Sequence, residues 1–246
     1  FNLYQRIEGV NTSDLGFGKS TAKSITLSFY VRSSLTGTFG GVIASNNRTR
    51  TYPFTYAISS ANTWEKKTIT IAGDTSGTWL TTNGIGVELL FQLGAGSGLL
   101  GTAGQWASAN VTGVTGATNL VSTNGATWYL TGVQLEAGSS ATEFEHRLYT
   151  TELQLCQRYY WRQFFSGSNV IYDRVYWSGS GYNALFNFPA PPGMRINAAT
   201  VTCTPTTNGT SVSFTYHPHG NIIVYRATAS GDNYFYSQDL AISAEL

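Results

Sequence analysis

The sequence predicts an all-β protein: a jelly-roll β-sandwich, then a short helix, then a second, smaller β-sandwich domain. Three observations carry this expectation. The chain of 246 residues holds 33 Thr, 15 Tyr and 13 Phe against four Lys and one Met, a composition that suits strands and starves helices. Apolar residues alternate with polar ones in several separate runs. Glycine-rich turns separate those runs.

Taken in order, Ser24–Arg32 places Ile25, Leu27, Phe29 and Val31 on one face of a strand. The pattern recurs at Tyr52–Ile58 and Lys67–Ile71. Ile85–Leu93 is a more continuous apolar run, as expected of a strand buried on both faces. Thr127–Glu136 is another long strand. The turns between them are Gly73–Gly77, Gly94–Gly104 and Thr112–Gly116. Trp64, Trp79, Trp106 and Trp128 read as core or sheet-packing residues, because large rings are mostly buried. Near residue 148 the texture changes. Thr150–Arg158 is the one helical segment, with a threonine cap and an acid in its first turn. Arg158–Phe165 fits a strand, and Ser211–Tyr216 and Asn221–Arg226 form a hairpin around His217-Pro218-His219-Gly220. The domains are therefore expected at 1–148 and 161–246, joined by a helical linker at 149–160.

Composition also excludes function classes. A net charge of +1 gives no electrostatic footprint for nucleic acid or anionic lipid. No apolar run approaches the ~20 residues of a membrane helix, so membrane insertion is not expected. With 41% apolar and 14% aromatic residues the chain can bury a core. Cys156 and Cys203 make no disulfide framework and read as buried free thiols. Phe1-Asn2-Leu3-Tyr4 carries neither an initiator Met nor a signal peptide. It predicts a piece of a longer polypeptide ending at a natural terminus near Ala244-Glu245-Leu246.

No catalytic constellation emerges. Gly96-Ser97-Gly98-Leu99-Leu100-Gly101 matches a dinucleotide fingerprint literally, but no acid lies between Glu88 and Glu136 to meet a ribose, and the segment reads as a glycine-rich loop. No GxSxG elbow occurs. His146 sits between charged neighbours with neither nucleophile nor orienting acid nominated, and reads as solvated or salt-bridged. The 13 acids form no recognisable glycosidase pair. No cofactor is expected and the chain is read as non-enzymatic. His217 and His219 are a His-x-His pair. They read as part of a polar turn, or as two ligands of a metal shared across a threefold axis. Sequons at Asn11, Asn47, Asn110 and Asn208 carry no glycosylation claim in so Ser/Thr-rich a chain.

The remaining signal is aromatic. Tyr172, Asp173, Arg174, Tyr176, Trp177, Tyr182 and Asn183 mix rings with polar groups around a glycine-rich loop. Asp232, Asn233, Tyr234 and Tyr236 repeat that texture. Loops combining Tyr, Ser, Gly and Asn serve adaptable recognition surfaces. Sugars offer C–H faces for rings and hydroxyls for polar side chains. These residues are the candidate ligand-binding set; the alternative is that half of the rings pack a small core or a subunit interface.

Gln5–Gly9, Tyr52–Tyr56, Gly73–Trp79, Thr131–Glu136, Ala141–Arg147 and Glu152–Tyr160 together resemble a module of tailed-bacteriophage structural proteins. The resemblance covers most of residues 1–160, and Gly132–Tyr160 is its most specific part. Beyond it, Phe186–Ala190 and Met194-Arg195 resemble a phage tip domain, with Pro191-Pro192-Gly193 as a departure. The resemblance implies a carbohydrate-binding-module-like jelly roll near the C-terminus of a tail fibre or tailspike, followed by a receptor-binding tip. It implies a homotrimer on the virion, made in the bacterial cytoplasm, that attaches to a bacterial surface glycan or another host receptor. Glu8 and Glu136 are what it offers as candidates for a structural calcium. Two alternatives stay open: a purely structural spacer, trimerisation or decoration domain, and the C-terminal part of a polysaccharide depolymerase with catalysis elsewhere.

Overall fold

In a computed structural model the protein is built mostly of antiparallel β-sheet, with one short α-helix. The chain divides into two compact units, Phe1–His146 and Arg147–Glu245. The structure describes residues 1–160 in full and, beyond them, the backbone of the strands named below.

Unit 1 is built on two larger sheets, with a third of two short strands. The four-stranded sheet runs β1 (Asn2–Glu8), β6 (Ile85–Gln92), β3 (Gly37–Ala44), β4 (Thr51–Ile58); the three-stranded sheet runs β5 (Glu65–Ile71), β2 (Ile25–Ser33), β9 (Trp128–Ala137). One hydrophobic core joins them. Ile25, Leu27, Phe29 and Val31 of β2 are wholly buried against Phe39 and Ile43 of β3, Phe54 and Tyr56 of β4, and Val87, Leu89 and Phe91 of β6. The period-2 alternation of these strands thus sets which face each sheet turns inward. The Phe29 ring meets the edges of Tyr56 and Phe91, each at 5.1 Å between centroids. Burial pushes the Tyr56 hydroxyl pKa well up.

Strands β1 and β3 carry no clear alternation in sequence. Glycines explain β3: a Cβ at Gly41 would lie 2.3 Å from the Phe54 ring and 2.5 Å from the Leu90 carbonyl oxygen. The missing side chain lets two strands and a ring close up, at the expense of strand propensity. On the outer face of this sheet Val42, Ala44 and Leu90 form a small second core. The segment carrying β7 (Leu100–Gly101) and β8 (Gly113–Val114) closes over that face, where the Val114 N–H donates to Gln92 Oε1 at 2.7 Å. Here Gly96–Gly101 forms a single 3₁₀ turn and a two-residue strand.

The outer face of the three-stranded sheet is covered differently. After β9 the chain folds back along it. The Gln134 amide donates to Thr142 Oγ1 and to the Glu143 carbonyl, and its oxygen accepts from the Glu145 N–H at 2.8 Å. Glu136 accepts from both the N–H and the hydroxyl of Thr142. Alternate residues of β9 therefore strap residues 142–145 onto the sheet.

Unit 2 opens with α1 (Tyr149–Gln157), none of whose residues is buried. Its N-cap is Leu148 without a side-chain cap, so the expected threonine cap is corrected: Thr150 and Thr151 lie inside the first turn. Cys156 is exposed on this helix, against the expectation of a buried thiol; Cys203 lies outside the described residues. Three sheets of three strands follow. They are β10 (Tyr160–Phe164), β18 (Asp239–Ser243), β13 (Thr200–Thr202); β11 (Ile171–Trp177), β17 (Gly231–Ser237), β14 (Pro205–Thr207); and β12 (Asn183–Pro189), β16 (Asn221–Ala227), β15 (Ser211–His217). The β15–β16 ladder extends to His217 opposite Asn221, one residue beyond the expected strand end. His219 lies outside the described residues.

Two further placements bear on the sequence reading. Trp79, Trp106 and Trp128 are half-buried against the core, whereas Trp64 is 46% exposed and its ring meets Tyr129 at 6.5 Å. The core reading of Trp64 is thus corrected; it sits just before β5, at the rim of the sheet.

Candidate functional site

Of the candidate ligand-binding residues, Tyr172, Asp173, Arg174, Tyr176 and Trp177 lie on β11, and Asp232, Asn233, Tyr234 and Tyr236 lie on β17. The two strands pair antiparallel. Tyr172 stands opposite Tyr236, Arg174 opposite Tyr234, and Tyr176 opposite Asp232. Directly opposed residues share a face, and faces alternate along each strand. Tyr172, Arg174, Tyr176, Asp232, Tyr234 and Tyr236 therefore occupy one face of a single ladder. Asp173, Trp177 and Asn233 occupy the other, together with Val175 and Phe235. Two segments some sixty residues apart in sequence become adjacent strands, with β17 paired on its far side by β14. Asn183 is the first residue of β12, in a different sheet, opposite Ala227. Tyr182 lies outside the described residues.

In unit 1 guanidiniums meet buried carboxylates at Glu88 and at Asp74. Glu88, its side chain 5% exposed, stands between two guanidiniums: Arg6 Nε donates to Oε1 and Arg48 Nε to Oε2, each at 3.0 Å. This ties the turn after β3 to β1 and β6. Asn47 and Arg48 in that turn adopt φ of 55° and 54°, the left-handed region that non-glycine residues seldom visit. The second point is the Arg50–Asp74 pair beneath Trp79. Two guanidiniums share the one Glu88 carboxylate, whereas Arg50 and Asp74 pair one to one; neither point places a nucleophile beside a base.

Among the described residues no group of three or more His, Cys, Asp or Glu gathers as a metal site. Glu8 is buried on β1. Glu136 lies on β9 in the other sheet, where its carboxylate is taken up by Thr142.

Two cavities in unit 1 were not signalled by the sequence reading. One, of about 430 Å³, is an apolar groove between the edge strands β1 and β9, lined by Leu3, Ile7, Leu130, Val133 and Leu135 among others. The other, of about 500 Å³, opens on the strapped outer face, between Tyr30 and Phe144. The hint in the sequence was Gly132, a lone glycine inside a strand pattern, which marks a bulge or a close approach. Comparison of the chain with protein-family models, with curated proteins and with solved structures returns no match.

Proposed function

We propose that the chain is a non-enzymatic recognition module that attaches to a host surface, its ligand a bacterial surface glycan. In this reading unit 1 is a carbohydrate-binding-module-like jelly roll and unit 2 a β-sandwich tip, at the end of a tailed-bacteriophage fibre or spike that acts as a homotrimer. The observation that supports it is the β11–β17 register, which lays four tyrosines, an arginine and an aspartate along one face of one ladder. Rings supply surface for C–H faces, and the charged pair supplies donors and acceptors for hydroxyls. Such contacts are individually weak, and three copies on one fibre multiply them through effective concentration. Low charge favours recognition through rings and hydrogen bonds over long-range electrostatic capture.

The test is competition. The whole chain should block phage adsorption to a host strain in a saturable manner, and Tyr176→Ala or Tyr234→Ala should weaken the block at least about tenfold. Release of reducing ends from the host polysaccharide would contradict the non-enzymatic reading. A second reading, a structural spacer or trimerisation domain, is favoured by one observation: the groove between β1 and β9, with Leu3 and Val133 exposed along it. A stable trimer that binds no host surface would favour it.

A further inference from the structure

Beyond the ladder of unit 2, we propose that the cleft above Gly132, on the outer face of the three-stranded sheet in unit 1, binds one neutral sugar residue of a glycan.

The cleft begins with a bulge. The β2–β9 register slips between Ser28 and Tyr30, so that Gly132 and Val133 together face Phe29. Gly132 takes φ +58°, as a glycine-based bulge requires. A Cβ placed there would stand 3.3 Å from Tyr30 Cδ2 and 3.8 Å from Phe144 Cδ2. The bare backbone of Gly132 is thus the floor, with the two rings beside it. Tyr30 comes from the central strand. Phe144 comes from the strap, whose position is fixed by the hydrogen bonds of Gln134 and Glu136 described above. The rings stay 41% and 42% exposed, although each sits on a fixed backbone. The His146 imidazole meets Phe144 edge-on at 5.3 Å and extends that wall. Lys66, registered opposite Tyr30 on β5, and Glu143 complete the rim.

The lining selects the occupant. At about 500 Å³ the cleft falls within the usual range of small-ligand sites, roughly 300–1,000 Å³. A purely apolar guest would strip water from the Lys66 ammonium and the Glu143 carboxylate and offer neither a hydrogen bond in return. A phosphorylated guest would meet one ammonium that already acts on the Glu136 carboxylate, with Glu143 beside it. A neutral polyhydroxylated ring avoids both penalties: its C–H face lies against Tyr30 or Phe144 while its hydroxyls meet Lys66, Glu143 and Thr131. The site is argued from unit 1 alone; it rests on the proposed function only for the source of the sugar.

The experiment is saturation-transfer NMR on the whole chain with the methyl glycosides of glucose, galactose, N-acetylglucosamine and N-acetylgalactosamine, each at up to about 10 mM. At least one should bind, and Phe144→Ala and Tyr30→Leu should each weaken it about tenfold or more with the thermal midpoint retained. Phe144 lies on the strap outside the core, so its variant keeps the test valid should the Tyr30 variant misfold. Tyr234→Ala in unit 2 should leave this binding unchanged. No transfer to any glycoside overturns the proposal, as does binding that survives Phe144→Ala. Binding lost only on Tyr234→Ala overturns the cleft and leaves the unit 2 reading standing. Binding lost only on the cleft variants, with adsorption competition insensitive to Tyr234→Ala, does the reverse.

Discussion

The carboxylate of Asp74 grips the guanidinium of Arg50 with both oxygens, Nε to Oδ2 and Nη2 to Oδ1, each at 2.7 Å. Asp74 is 1% exposed and also accepts from the Ser76 N–H and the Trp79 indole N–H. Trp79 in turn packs edge-on against Phe17 and Trp106 at 4.8 and 5.5 Å. Gly77 takes φ +80°, and a Cβ there would also meet Arg50 Cγ at 2.5 Å. The Gly73–Trp79 segment is therefore an architectural corner: the acid orders its own turn, the ring closes the core, and the glycine makes room for the arginine.

Removing the acid should be costly, since it strands a largely buried guanidinium. Asp74→Ala is expected to destabilise unit 1 by about 3–5 kcal/mol. A double-mutant cycle with Arg50→Ala in urea unfolding should return a coupling of at least about 1.5 kcal/mol. Additive single effects would contradict the pairing.

Gly132→Ala tests the bulge. The substitution places a Cβ at φ +58° and 3.3 Å from the Tyr30 ring. The left-handed conformation costs about 1–2 kcal/mol, so the thermal midpoint should fall by roughly 3–6 °C. An unchanged midpoint would mean that β9 does not bulge at this residue.

Acid should loosen two surface clamps. The Glu65 carboxyl is held below its usual range first by the Lys67 ammonium, then by the Ser60 and Ser59 N–H groups. Glu136 is lowered by hydrogen bonds from Gln134 and Thr142, with Lys66 adding to them. A carboxyl whose folded pKa is depressed stabilises the fold above its ordinary value of about 4.3, and that contribution is lost as pH falls through the lowered value. The urea midpoint should hold from neutral pH down to about 5 and drop below about 4. Glu136→Gln should flatten part of that drop, whereas an acid limb identical to that of the parent would remove Glu136 from the account. Both groups are half-buried at the surface, so the effect is small and partly salt-screened.

Much of the frame was legible because alternation is a local signal. The inward face of β2 follows directly from Ile25, Leu27, Phe29 and Val31. The paired strands β15 and β16 follow from two alternating runs around Pro and Gly. Strand β3 was missed because Gly37, Gly40 and Gly41 look like a turn until Thr118, Val114 and Phe54 are seen to fill the space beside them. Strand β1 was missed because its alternate residues serve two surfaces: Arg6 faces outward to Glu88, while Leu3 and Ile7 line a groove. Trp64 was misplaced because ring burial is a statistical tendency, and its neighbours in sequence do not say that the chain turns there. The aromatic candidates were recognisable by texture, but that β11 and β17 lie side by side is a long-range pairing which no local pattern encodes. The cleft was hidden for the same reason, since Tyr30, Lys66 and Phe144 come from three distant segments.

Recognition of a surface glycan through the β11–β17 ladder is tested most directly by probing an array of bacterial surface polysaccharides with the whole chain and with the double variant Tyr176→Ala, Tyr234→Ala. The account predicts saturable binding to a subset of the glycans by the parent chain. It also predicts a loss of at least about tenfold in the variant at unchanged secondary structure. Binding that the variant retains in full, or no binding to any polysaccharide on the array, would contradict it.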